Sequence, residues 1–136
     1  MKPGAIDPFV IVDAAMNDLM RPALYDAWHR IEAVRPNGRE RIANVVGPVC
    51  ETGDTFATAR RMDEVDAGDL VVFRTAGAYA AAMSSTYNSR PLTPEVLVDG
   101  DRWAVVRPRI DVDRLIAADR VPEWLHSEPR QDSGLD

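Results

Sequence analysis

The chain has 136 residues, room for one domain with a genuine core, and a formal net charge of −6. That acidic balance disfavours nucleic acid and anionic membrane as partners. No apolar run approaches the roughly 18 residues of a membrane span, and MKPGAIDP at the start lacks a signal peptide's apolar stretch, so a soluble cytoplasmic protein is expected.

FVIVDA, 9–14, is a β-branched apolar run and predicts a strand buried on both faces. Pro22 opens a short helix expected to run to about Arg30, with Ala23, Leu24, Ala27 and Ile31 on its apolar side. RPNG, 35–38, is a turn and a hairpin signal if strands flank it; RIANVVGPV, 41–49, gives the next strand. TFATARRM is weakly patterned, VDAGD at 65–69 is a turn, and LVVFRT, 70–75, is a clear strand. AGAYAAAMSS, 76–85, reads as a short helix or turn. EVLV and RWAVV about an Asp-Gly turn make a β-hairpin within 94–109, and Asp111 is a candidate N-cap for a terminal helix. Residues 1–125 then form one domain, and 126–136 a polar tail expected to be disordered. Many short strands with brief helices predict a mainly β fold, an antiparallel barrel or sandwich, with no β-α-β alternation to support a parallel sheet.

Cys50 is the single cysteine, so no intrachain disulfide forms; with only His29 and His126 beside it, a structural zinc site is excluded. Fifteen arginines stand against one lysine, Lys2. Arginine suits carboxylate and phosphate recognition, whereas Schiff-base chemistry requires an amine. The chain therefore has little prospect of supplying its own Schiff-base nucleophile.

A lone cysteine at a strand end is often a small buried hydrophobe. Pro48 before it and Gly53-Asp54 after it instead place Cys50 at a loop rim. Glu51 beside it favours the protonated thiol, which suits a proton donor better than a nucleophile, and no nearby histidine offers a base. Arg21 and Tyr25 stand at i, i+4 on one helical face and can clamp a carboxylate; a surface arginine beside a half-buried tyrosine fits the spacing equally. Small residues around Tyr79 permit close approach of a ligand or subunit, or simply a packed turn with a core tyrosine. Ser84-Ser85 read as turn chemistry, Tyr87 and Asn88 as loop-fixing, Trp28, Trp103 and Trp124 as core or interface anchors, and Arg60-Arg61 as solvated surface.

Four stretches in order, VDAAMNDLMRPALYDAWH, GPVCETGD, GAYAAAMSSTYNSRP and EVLVDGD, closely resemble the C-terminal domain of the diaminopimelate decarboxylase family across about residues 9–125. The resemblance implies a β-barrel of the alanine-racemase C-terminal type that completes an active site whose Schiff-base lysine lies in a separate (β/α)8 barrel. It implies pyridoxal 5′-phosphate as cofactor, meso-diaminopimelate as substrate and a head-to-tail homodimer with shared active sites. By position, Arg21 and Tyr25 match substrate-binding residues, and Cys50 matches the proton donor to the carbanion left by carbon dioxide. Glu51 matches the acid that holds the substrate's distal amino group, and Tyr79 the tyrosine that reaches cofactor and substrate. Thr52, Ala80 and Thr86 replace a frequent serine, glycine and asparagine, and none is an inferred catalytic group. Two other readings stand beside this one. An ornithine- or arginine-type decarboxylase commonly has aspartate where this chain has Glu51. A stand-alone dimerisation or regulatory module would explain the missing lysine. The isolated chain is expected to be inactive and to bind the cofactor poorly.

Overall fold

A computed structural model describes residues 7–125; Lys2, His126 and the tail expected over 126–136 lie outside the described residues. Seven strands and three short α-helices make up the described chain. They run β1 (Phe9–Ile11), α1 (Arg21–Tyr25), β2 (Ile31–Ala33), β3 (Glu40–Val46), β4 (Thr55–Asp63), β5 (Val71–Phe73), α2 (Gly77–Met83), β6 (Glu95–Asp99), β7 (Arg102–Arg107) and α3 (Val112–Ile116). The fold is mainly β, as expected, and no described helix is long and apolar enough to cross a membrane.

The strands form a three-stranded sheet ordered β1-β3-β4 and two pairs, β2-β5 and β6-β7. All pairings are antiparallel except β1 with β3, which is parallel. This corrects the expectation of a purely antiparallel arrangement. A parallel neighbour needs a long crossover, and the segment carrying α1 and β2 supplies it. β1 is also shorter than its apolar run: Val10 is buried, but Ile11 is 53% exposed, so only one face is covered.

The helix expected through Arg30 ends at Tyr25. Asp26 adopts a left-handed conformation (φ 52°), and its N–H caps the carbonyls of Arg21 and Pro22. Aspartate tolerates this geometry better than most residues. Ile31 is thereby released from the helix and enters β2, where it pairs with Phe73. The RPNG turn forms, with Asn37 Oδ1 accepting from Arg39 N and Gly38 at φ +77°, but β2 and β3 on either side pair with other strands. Asp111 caps α3 by accepting from Arg114 N at 2.9 Å, as its sequence position predicts.

β4, the stretch that looks weakly patterned, is the longest strand. Its pairing with β3 slips twice, between Ala43 and Val45 and again between Val45 and Val46, and Ala59 sits at φ 45° with its N–H bonded to Asn44 Oδ1 at 2.9 Å. The two extra residues shift the in-out alternation, so Phe56, Ala57 and Met62 are all buried although no single period of two connects them. These side chains pack with Val10, Leu19, Ile31, Ala33, Ala43, Val45 and Val65, and the Phe56 and Phe73 rings lie 4.8 Å apart. Asp63 ties the sheets together by accepting from Ala33 N at 2.8 Å.

The hairpin β6–β7 turns at Gly100, which has φ +63°. Cross-strand pairing sets Val96 opposite Val105 and Val98 opposite Trp103, all at least half exposed. Trp28, Trp103 and Trp124 are exposed by 68%, 71% and 75%, so none is a core residue of this chain.

Candidate active site

Pro22 at the start of α1 and the Asp26 cap at its end fix a single helical turn. That turn places Arg21 and Tyr25 on one face, with the guanidinium carbon 5.7 Å from the Tyr25 ring centroid. Helix α2 completes the group. α2 seats Ala76 and Ala80 against the core, and Tyr79 turns outward so that its ring lies 4.4 Å from the Arg21 guanidinium carbon. Tyr25 and Tyr79 are 62% and 55% exposed, so Tyr79 is not a core tyrosine and Tyr25 is more than half exposed. A guanidinium held by cation–π contact between two accessible phenols presents its N–H fork to an anion.

Cys50 and Glu51 lie on the connection from β3 to β4. Both are exposed, so the buried-hydrophobe reading of Cys50 fails. Glu51 Oε1 accepts from Gly53 N at 3.2 Å, and Tyr87 Oη donates to Glu51 Oε2 at 3.5 Å. Tyr87 thus joins the cysteine loop to the segment after α2, a contact its sequence position does not predict. The loop closes through backbone bonds from Gly47 N to Asp54 O and from Asp54 N to Glu51 O.

The segment 13–20 connects the two groups, and sequence reasoning gave it no such role. On one side, Met16 N donates to Asp54 Oδ1 at 2.7 Å. On the other, fully buried Asn17 donates from Nδ2 to Ser85 O at 3.1 Å, and its backbone carbonyl accepts from Ser85 N at 3.0 Å. Arg90 Nη2 donates to Asp13 O at 2.6 Å. Arg21 follows this segment directly. Pro22 and Ala23 of α1 and Gly53 of the cysteine loop line one cavity of about 370 Å³, with Trp28 and Arg60 at its far side. Arg60 is not simply solvated: it stacks 4.6 Å from the Trp28 ring, donates to His29 O at 2.7 Å, and partial burial lowers its pKa. Neither this cavity nor one of about 400 Å³ between β1 and residues 65–71 is lined by any of the five candidate residues.

Residues 2–77 match the family described as pyridoxal-dependent decarboxylase, C-terminal sheet domain. The diaminopimelate decarboxylase of Zymomonas mobilis is 54% identical over 117 residues, which are 86% of this chain and 28% of that protein. That of Archaeoglobus fulgidus is 47% identical over 119 residues, again 86% of this chain and 28% of the relative. The crystal structure of diaminopimelate decarboxylase from M. jannaschii superposes with a TM-score of 0.86 at 35% identity, covering 91% of this chain and 29% of that one. This chain therefore spans under a third of the length of these relatives. From the match over more than half its length, the chain belongs to the C-terminal sheet-domain family of the pyridoxal-dependent decarboxylases.

Proposed function

We propose that this chain is the substrate-facing part of a diaminopimelate decarboxylase, which converts meso-2,6-diaminopimelate to L-lysine and carbon dioxide. The observation that carries the reading is the Arg21 cluster, one guanidinium between two exposed phenols; the β3–β4 loop of the same chain presents an exposed thiol and carboxylate. Such a set suits a substrate with a second carboxylate, which ornithine lacks.

The residues present fit one side of a pyridoxal phosphate site. Tyr79 offers an exposed phenol to the cofactor beside the carboxylate-binding Arg21, while no lysine occurs among the described residues. Tyr79 is thus the residue that would touch the cofactor, and the imine-forming amine belongs elsewhere. When bound, the cofactor would supply the electron sink for the pair left behind as carbon dioxide departs.

Each side chain then has a defined task. Arg21, backed by Tyr25, holds a substrate carboxylate through paired charged hydrogen bonds. Glu51 holds the distal ammonium, with Tyr87 restraining one carboxylate oxygen. Once the carbon–carboxyl bond breaks, the electron pair remains on the α-carbon and the Cys50 S–H proton moves to that carbon. The resulting thiolate is exposed and recovers its proton from water. Among the described residues, no hydrogen bond, ion pair or ring contact joins Cys50 or Glu51 to Arg21, Tyr25 or Tyr79, and both are exposed, which supports a homodimer in which the loop enters the partner's site. The exposed apolar faces around Val98 and Trp103 support a further protein surface packed against β6–β7.

The test is carbon dioxide release by the decarboxylase containing this domain, with meso-diaminopimelate, ornithine and arginine compared. Turnover of diaminopimelate alone is expected. Equal or faster release from ornithine or arginine overturns the substrate assignment. The 136-residue chain by itself is expected to release none, since its single lysine is Lys2.

A further inference from the structure

We propose that Asp54 is the positioning residue that sets the Cys50–Glu51 loop against the Arg21 segment, an inference that rests on the roles given above to Cys50 and Glu51. Asp54 is 2% exposed, yet none of the ion pairs among the described residues includes it. Its charge is met by backbone amides. Oδ1 accepts from Met16 N and Oδ2 from Val49 N, each at 2.7 Å. Bonds of that length to an ionised acceptor are the strong kind. One donor lies in the segment leading into Arg21, and the other is the residue before Cys50. A single carboxylate therefore ties the cysteine loop to the segment that leads into Arg21.

The carboxylate has one available pose. A Cβ built on Gly47 would fall 2.3 Å from both of its oxygens, so the backbone of residue 47 packs directly on the group and tolerates no side chain. The Asp54 main chain is held as well, by Gly47 N and Glu51 O. Asparagine cannot replace it. Either amide orientation turns an NH2 toward one of two N–H donors, leaving that donor buried and unpaired. Only a symmetric two-oxygen acceptor holds Met16 and Val49 together.

Asp54→Asn and Gly47→Ala test this from opposite sides of one contact, the second displacing a chemically intact carboxylate. In the 136-residue chain, amide-proton exchange at Met16 and Val49 is expected to accelerate about tenfold or more, while Ala43 and Val45 in β3 stay protected and report an intact fold. In the complete decarboxylase, kcat is expected to fall about tenfold or more in either variant, and to fall no further when Asp54→Asn is added to Cys50→Ala. Unchanged exchange at both amides, or an equal proportional loss in the Cys50→Ala background, overturns the proposal. Loss of Ala43 and Val45 protection in both variants also overturns it, since Asp54 would then be a determinant of folding. An impaired Cys50→Ala enzyme beside a normal Asp54→Asn enzyme overturns this inference alone. A Cys50→Ala enzyme with full turnover overturns the proton-donor reading itself.

Discussion

The guanidinium of Arg21 rests 4.4 Å from the ring of Tyr79, so the first helix of the chain and the second meet over one cation. The contact orients the fork while leaving its N–H groups free for a ligand, and it makes each residue's contribution depend on the other. Arg21→Ala is expected to raise the Michaelis constant for diaminopimelate about tenfold to a hundredfold, the loss of a charged hydrogen-bonding partner. Arg21→Lys should recover little, because an ammonium neither stacks nor forks in the same way. Steady-state kinetics on the complete enzyme measure both, and an unaltered Michaelis constant for Arg21→Ala removes the clamp.

Cys50→Ala bears on a different step. The thiol is exposed and is not part of the proposed carboxylate clamp, so its removal is expected to leave binding nearly intact and to slow proton delivery. Turnover is expected to fall about a hundredfold or more with a Michaelis constant changed by little, within the usual range for a lost general acid. Cys50→Ser, which keeps a proton at the same place on a far weaker acid, should restore only part of the rate. Turnover near normal in Cys50→Ala would assign the proton to another donor.

The legible parts of this molecule were those governed by local chemistry. Pro48 and Gly53 announce a loop around Cys50, the Asp-Gly pair at 99–100 announces a hairpin, and Asp111 announces a helix start; all three form. The pairing of Arg21 with Tyr25 followed from helical spacing, but the arrival of Tyr79 did not, because it depends on how α2 docks. β4 was obscured by its own bulge: the left-handed Ala59 resets the alternation, and a strand with two arginines reads as a polar connection. β2 was hidden because a helix running to about Arg30 claims Ile31 for its apolar side, whereas the left-handed cap at Asp26 ends that helix at Tyr25. Asp54 was missed as well. An acid after glycine looks like turn chemistry, and only the fold reveals that a segment beginning far upstream brings it a second amide.

Glu32 makes stability depend on acid pH in a stated direction. Arg74 Nε and Arg30 Nε each lie 2.5 Å from one of its carboxylate oxygens, bracing β2 against β5. The hydrogen bond from Arg74 is the main cause holding the Glu32 carboxyl below its ordinary value of 4.5; burial opposes it and the Arg30 charge assists. A carboxyl with a lowered pKa in the folded chain contributes stability above its unfolded value and loses it as pH falls through the folded one. Both arginines are well exposed, so the effect is modest and screened by salt. Urea midpoints at pH 7 and pH 3 should therefore differ less in Glu32→Gln than in the parent chain. An identical pH dependence in the two proteins would move the acid sensitivity to other carboxylates.

Ala59 offers a stabilising change at the bulge. A left-handed conformation costs a residue with a Cβ roughly 1–2 kcal/mol, and glycine avoids that cost while adding roughly 0.5–1 kcal/mol of unfolded-chain entropy. Ala59 is exposed, at φ 45°, and its one specific contact is the N–H bond to Asn44 Oδ1, which glycine keeps. Ala59→Gly is therefore expected to stabilise the chain by roughly 0.5–1 kcal/mol, seen as a higher urea midpoint with an unchanged slope. Asn44→Ala should act the other way, costing about 1 kcal/mol by stranding the bulge amide. If both changes lower the midpoint alike, the strain lies in the β3–β4 register and not at Ala59, since relieving the φ angle would then gain nothing.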